Sequence, residues 1–257
     1  MTWNTAWTYE IANHQTAVAQ GIVPNATPVE KFGKNDAIGS SLETIWDGGG
    51  IYNYPAADNV SLSISSDTAA DTSREYTVIG LDTDFVRQTE IVTTDATDAQ
   101  TETAVDGTWS RVYRVYNSGA TSAAGAVYVY DASSDVVAGV PSDAAKIHAT
   151  VMTLQQQTLM CVYTIPATET GYLYNLYVIG TTPVAAVTHI QLAVREFGGV
   201  FRALHDVSVT QGAEWQHEFH LPLSLPSKSD VELRCSASTG SRVFSGGFSI
   251  MCQAPPN

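Results

Sequence analysis

Basic residues, and lysine in particular, are scarce in this sequence. Its 257 residues contain 12 Lys and Arg, of which four are Lys, against 26 Asp and Glu, so the formal net charge is −14. Proteins that bind nucleic acid use Lys and Arg to displace the counterions of the phosphates. The charge balance therefore argues against a nucleic-acid partner.

Long apolar runs are also absent, and none reaches the roughly 20 residues that a membrane-spanning helix needs. Residues 1–5 have neither the basic nor the apolar region of an export signal. The three cysteines are odd in number and lie in strand-like apolar runs. We expect buried, reduced thiols, no membrane partner and folding in a cytoplasm.

The acidity is distributed unevenly along the chain. Residues 1–145 contain 19 acidic and 6 basic groups, a net charge of −13, whereas residues 146–257 contain 7 and 6, a net charge of −1. We expect the acidic half to face solvent and the near-neutral half to provide the surface that packs against other molecules.

Short runs with a period of two residues predict β-strands from Val60 to the C-terminal region. Polar and apolar residues alternate in these runs, which are rich in Val, Thr and Tyr. Gly198-Gly199, between two such runs, predicts a hairpin turn. The sequence therefore predicts an all-β fold with two antiparallel, jelly-roll-like β-sandwich domains, an acidic one over 30–145 and a near-neutral one over 146–257.

Residues 1–29 show no regular alternation and contain Trp3, Trp7 and Tyr9. Aromatic side chains on a segment too short to form its own core must pack on the parent domain or on a neighbouring subunit. We therefore expect residues 1–29 to form an N-terminal arm whose aromatic residues make an interaction.

A second group of aromatic residues, Trp46, Tyr52 and Tyr54, surrounds the triple glycine at 48–50. Two interpretations remain open for this group. The rings form a platform on which a sugar stacks, or they cover a sheet edge, which is the commoner use of aromatic residues beside glycine.

The histidines at 205, 217 and 220 are the most metal-like cluster in the sequence. A strand sends His217 and His220 to opposite faces, so surface histidines are the favoured interpretation and a zinc enzyme ranks third among the functions considered. No nucleophile elbow or phosphate-binding loop is present. We predict no catalytic residue, no metal ligand and no cofactor.

One stretch, Val29-Glu-Lys-Phe-Gly-Lys-Asn-Asp36, followed by Leu42-Glu-Thr-Ile-Trp46 and Asp47-Gly-Gly-Gly-Ile-Tyr52, resembles the opening of a family of virion structural proteins of tailed bacteriophages. Further motifs follow in the order typical of that family, at 80–82, 90–93, 110–114, 194–202, 217–219 and 225–234. The resemblance covers the chain from about Val29 to the C-terminus.

This resemblance implies a non-enzymatic virion protein, assembled in the host cytoplasm. The leading hypothesis is a capsid decoration or cement subunit on the particle exterior. Its partners would be copies of itself, as in a trimer, and the major capsid or other virion proteins. The alternatives are a neck or tail appendage subunit and a glycan-binding module that recognises the host.

Overall fold

A computed structural model describes residues 17–18, 20–181, 186–210 and 214–255. The arm residues Trp3, Trp7 and Tyr9 lie outside the described residues. No helix in the described ranges is long and apolar enough to cross a membrane.

Strands that pair antiparallel make up most of the regular structure of the described residues, with a 3-10 helix at Ala144–Lys146. The strands are β1 Ala26–Ile38, β2 Glu43–Thr44, β3 Val60–Ser66, β4 Glu75–Leu81, β5 Arg87–Thr93, β6 Thr103–Trp109, β7 Arg111–Asn117, β8 Val127–Asp131, β9 Val136–Val137, β10 Val140–Pro141, β11 Ile147–Val151, β12 Val162–Thr164, β13 Thr170–Gly180, β14 Val187–Arg195, β15 Arg202–Thr210, β16 Glu214–Leu225, β17 Asp230–Ala237 and β18 Arg242–Gln253. The prediction of an all-β, sandwich-type fold is confirmed.

Eight of these strands form a jelly roll. One sheet has the order β1-β18-β13-β16 and the other the order β12-β17-β14-β15, which is the arrangement of a double-sheet jelly roll. Alternate residues of each strand point inward, so that Leu176 and Phe248 of the first sheet and Ile190 and Leu233 of the second belong to one buried cluster.

A second sandwich is inserted into one strand position of the jelly roll. Both β2 and β12 pair with β17, at Thr44 opposite Arg234 and at Val162 opposite Glu232. The chain between them forms the sheets β11-β8-β3-β6 and β5-β4-β7, and the short pair β9-β10. These two sheets enclose their own core, which includes Trp109 and Tyr76.

The strand pairing groups the chain differently from the predicted division at residues 29 and 145. Strand β1 begins at Ala26, inside the predicted arm, and pairs along its length with β18 near the C-terminus. Strand β11, beyond residue 145, pairs with β8 of the inserted sandwich. The inserted strands, residues 60–151, carry 13 acidic and 5 basic groups, a net charge of −8, so the acidity belongs largely to this sandwich.

The predicted turn at Gly198 lies between β14 and β15. Gly198 has φ +73°, and the amide of Gly199 donates to the carbonyl of Glu196 at 2.9 Å. The loop that connects the two strands is longer than the pair Gly198-Gly199, since β14 ends at Arg195 and β15 begins at Arg202. Glycine supplies the positive φ that this turn requires.

Candidate functional site

The aromatic group at the triple glycine is built into the interior. Trp46 and Tyr52 are 3% and 2% exposed, and Tyr54 is half-buried. Their rings pack edge to face at centroid distances of 5.2 and 4.8 Å. The Tyr52 hydroxyl lies 2.9 Å from the carbonyl oxygen of Val112 and 3.1 Å from that of His148, which share its one hydrogen.

This burial is incompatible with the sugar-platform interpretation, because a stacking ligand needs an exposed ring face. The sequence pattern did not distinguish the two cases, since aromatic residues beside glycine look the same whether they cover an edge or fill a core. Tyr52 instead connects the start of the inserted sandwich to two of its strands.

A buried ionic cluster lies where the two sandwiches meet. Arg111 of β7 donates from Nε to Asp230 Oδ1 of β17 at 2.8 Å. Arg195 of β14 donates to Asp230 Oδ2 at 2.9 Å, and the Thr164 hydroxyl donates to Oδ1 at 2.6 Å. Charge-assisted, two-sided hydrogen bonding of this kind satisfies a buried carboxylate, and it fixes β7 of the insert against the jelly roll.

Aromatic rings cover the same cluster. The Arg195 guanidinium lies 4.7 Å from the centre of the Tyr54 ring and 4.8 Å from that of Phe201. The Arg111 guanidinium lies 5.2 Å from the Tyr54 ring. Burial raises the pKa of the Tyr54 hydroxyl well above its usual range, so this side chain stays neutral. The Tyr54 ring therefore covers the junction between the two sandwiches and stabilises the guanidinium groups of Arg111 and Arg195.

A buried lysine lies beside the junction, on the inner face of β1. Lys31 donates from Nζ to the carbonyl of Tyr113 in the inserted sandwich. Burial, assisted by the charge of Arg114, lowers the pKa of Lys31 to about 7. Asp47 accepts from the amide of Leu159 at 2.9 Å, and burial raises the pKa of Asp47 to about 8. Sequence periodicity gave no sign of either group, because Lys31 is polar at an inward strand position and Asp47 lies in a turn, where no alternation applies.

The histidines lie on the edge strands β15 and β16. The rings of His205 and His217 stack at 4.6 Å, between Trp215 and Phe219, whereas His220 lies on the more exposed face of β16. Within the described ranges, no three His, Cys, Asp or Glu side chains converge as metal ligands. The stacked pair fills the open side of the jelly roll between its two sheets.

The three cysteines, Cys161, Cys235 and Cys252, are buried and unbridged. Burial raises the pKa of each thiol. These thiols are thus inert core side chains, as the sequence predicts.

Two turns, one from each sandwich, carry exposed apolar side chains, and we call this group of residues the apolar end. It consists of Val86 in the β4–β5 turn and Phe197 and Val200 in the β14–β15 turn, which are 49%, 55% and 76% exposed. The buried Phe85 ring packs edge to face on Phe197 at 5.4 Å and joins the two turns. Clustered apolar side chains in solvent mark an interaction surface.

No protein-family model and no curated protein matches the chain. Three of the solved structures to which it is similar come from infectious bursal disease virus. The structure of the Gx strain has 12% sequence identity and a TM-score of 0.23, and the match covers 90% of this chain and 73% of the other. For the VP2 subviral particle the identity is 9% and the TM-score 0.21, with 94% of this chain and 77% of the other covered. For the T13 viral particle the identity is 14% and the TM-score 0.18, with 98% of this chain and 85% of the other covered.

These three structures are of virus particles, and none of the three comes from a tailed bacteriophage. TM-scores near 0.2 are too low to establish the fold or the function of this chain. The fold rests on its own strand pairing.

Proposed function

We propose that the chain is a non-enzymatic structural subunit of a virus particle and associates with copies of itself. The apolar end carries this proposal. Its exposed side chains come from both sandwiches and belong to two turns that a buried aromatic contact holds together. A surface of this kind is costly in water unless a partner covers it.

The domain junction supports the same role. Assembly from identical subunits requires the same contact geometry in each copy. The Arg111–Asp230–Arg195 cluster fixes the inserted sandwich on the jelly roll, so the two turns of the apolar end keep one relative position.

In its finer form, the proposal is a decoration or cement subunit on the exterior of a tailed-phage capsid, assembled as a trimer. The net charge of −8 on the inserted strands supports an exterior orientation, because packaged DNA repels that sandwich. The resemblance of the sequence to phage virion proteins supports the phage assignment, and a neck or tail appendage is the alternative location.

Light scattering coupled to size-exclusion chromatography tests the self-association. We expect a trimer for the wild-type chain and a monomer for Val200→Asp. A matched control is Leu154→Asp, since Leu154 is equally exposed to solvent but lies outside the apolar end; it should leave the trimer intact. A monomeric wild-type chain, or a trimer that Val200→Asp leaves unchanged, would contradict the proposal.

A further inference from the structure

A cavity of about 460 Å³ opens on the outer face of the β1-β18-β13-β16 sheet. This volume is in the range of small-ligand sites. Its walls include Glu30, Phe32, Arg114, Tyr174, Asn175 and Ser249. Val18, which precedes β1, also lines the cavity. The other described walls except Arg114 lie on the jelly roll, and none belongs to the apolar end, the ionic cluster or the aromatic group at the triple glycine.

A row of polar side chains crosses the floor of the cavity. The pairing register places Glu30 of β1 opposite Ser249 of β18, and Ser249 opposite Asn175 of β13. The Ser249 hydroxyl donates to Glu30 Oε2 at 2.7 Å, and a second acceptor, Asn175 Oδ1, lies 3.0 Å from its oxygen.

The Ser249 hydroxyl has one hydrogen and two acceptors beside it. Glu30 Oε2 and Asn175 Oδ1 share that hydrogen, and the carboxylate is the closer of the two. The Asn175 Nδ2 group and the second Glu30 oxygen take no part in these two bonds. They are a donor and an acceptor that a ligand can use.

Apolar and cationic groups complete the cavity. Phe32 and Tyr174 supply rings, Pro28 and Met251 supply aliphatic contact, and the Arg114 guanidinium lies 5.8 Å from the Phe32 ring centre. The positive charge of Arg114 offsets the negative charge of Glu30. A ligand of high charge of either sign is thus disfavoured, whereas a neutral ligand with several donors and acceptors fits.

We propose that this cavity binds a neutral saccharide. The C–H face of a sugar ring packs on aromatic side chains, and vicinal hydroxyls donate to the Glu30 carboxylate while accepting from the Asn175 amide nitrogen and the Arg114 guanidinium. This site replaces the surface that the sequence indicated at Trp46, Tyr52 and Tyr54. Saccharide binding would add a recognition function to the proposed structural function. The proposal of this site does not depend on that structural function.

Saturation-transfer NMR of the full chain with glucose, galactose, mannose and N-acetylglucosamine tests the site. We expect at least one of these sugars to bind. Glu30→Gln keeps the shape of the side chain and removes its charge, and it should weaken that binding about tenfold, the typical effect of losing a charge-assisted hydrogen bond. Ser249→Ala, which removes the hydroxyl that positions the Glu30 carboxylate, should weaken the binding as well.

Glu218→Gln is the matched control. Glu218 pairs with Asn175 in the same register row, but it lies on β16 outside the cavity walls, so its substitution should leave the affinity unchanged. The proposal fails if none of the four sugars binds at millimolar concentration, or if Glu30→Gln binds as well as the wild-type chain. Because the free protein is used, this result is independent of any location in a particle.

Discussion

Arg111 of the inserted sandwich and Asp230 of the jelly roll form a buried ion pair, 119 residues apart in sequence, with Nε donating to Oδ1 at 2.8 Å. Asp230 also accepts from Arg195, so one carboxylate on β17 joins three strands from both sandwiches. Removing one partner from such a cluster leaves a buried charge incompletely compensated. The pair therefore determines whether the two sandwiches behave as one body.

Replacing Arg111 by Met is expected to lower the free energy of unfolding by about 3 kcal/mol, as for other broken buried ion pairs. Equilibrium denaturation in urea measures this loss. Arg202→Met is the control, because Arg202 pairs with Glu196 on the surface, and such pairs contribute only about 0–1 kcal/mol. Equal losses in the two variants would show that the junction contributes no special stability.

Tyr52→Phe is expected to lower the free energy of unfolding by about 1–2 kcal/mol, because it removes the one buried donor that the carbonyls of Val112 and His148 share. Tyr177→Phe, at a partly exposed ring, should change stability little. Thermal unfolding followed by circular dichroism checks both variants. A Tyr52→Phe protein as stable as the wild type would argue against the structural role assigned to this group.

Lys31 makes the stability depend on pH. The pKa of Lys31 is about 7 in the folded chain, against the ordinary 10.5. Between these values the unfolded chain binds a proton that the folded chain lacks, so the contribution of Lys31 to stability increases as the pH rises from about 7 to about 10. The charged groups Arg114 and Asp47 and the Cys161 thiol affect this titration.

Lys31→Met isolates this contribution, because Asp47 and Cys161 remain in both proteins. We expect the stability of the wild-type chain relative to Lys31→Met to rise steadily in urea titrations at pH 7, 8, 9 and 10. Lys34→Met, at a partly exposed lysine that pairs with Asp36, is measured at the same pH values as the control for the loss of a lysine side chain. A flat difference for Lys31→Met would mean that the buried lysine keeps its ordinary pKa.

The arm that the sequence predicts remains a proposal, and the fold changes how it must be tested. Because β1 begins at Ala26 and pairs with β18, a deletion of residues 1–28 would damage the jelly roll itself. Deleting residues 1–16 leaves that strand intact. We expect this deletion to abolish co-sedimentation with particles that lack the protein, and retained binding would refute a docking role for the arm.

The sequence was informative wherever a property is local. Alternation predicted β-strands from Val60 onward, Gly198-Gly199 predicted a turn, and apolar surroundings predicted the burial of the cysteines. A period of two residues reports which face of a strand is buried, and that information was sufficient for the fold class.

Properties that depend on distant partners were not accessible from the same pattern. The pairing of β1 with β18, the division of one jelly-roll strand position between β2 and β12, and the Arg111–Asp230 pair join segments far apart in sequence. The same holds for Glu30, Ser249 and Asn175, whose cavity exists only once three strands lie side by side. Periodicity specifies a strand face but not the neighbouring strand.

The position of this chain in an intact particle tests the central claim most directly. Cryo-electron microscopy of purified particles should place the chain on the exterior, with Val86, Phe197 and Val200 covered by another copy and the inserted sandwich directed away from the nucleic acid. A map with the inserted sandwich against packaged DNA, or with the apolar end exposed to solvent, would contradict the account.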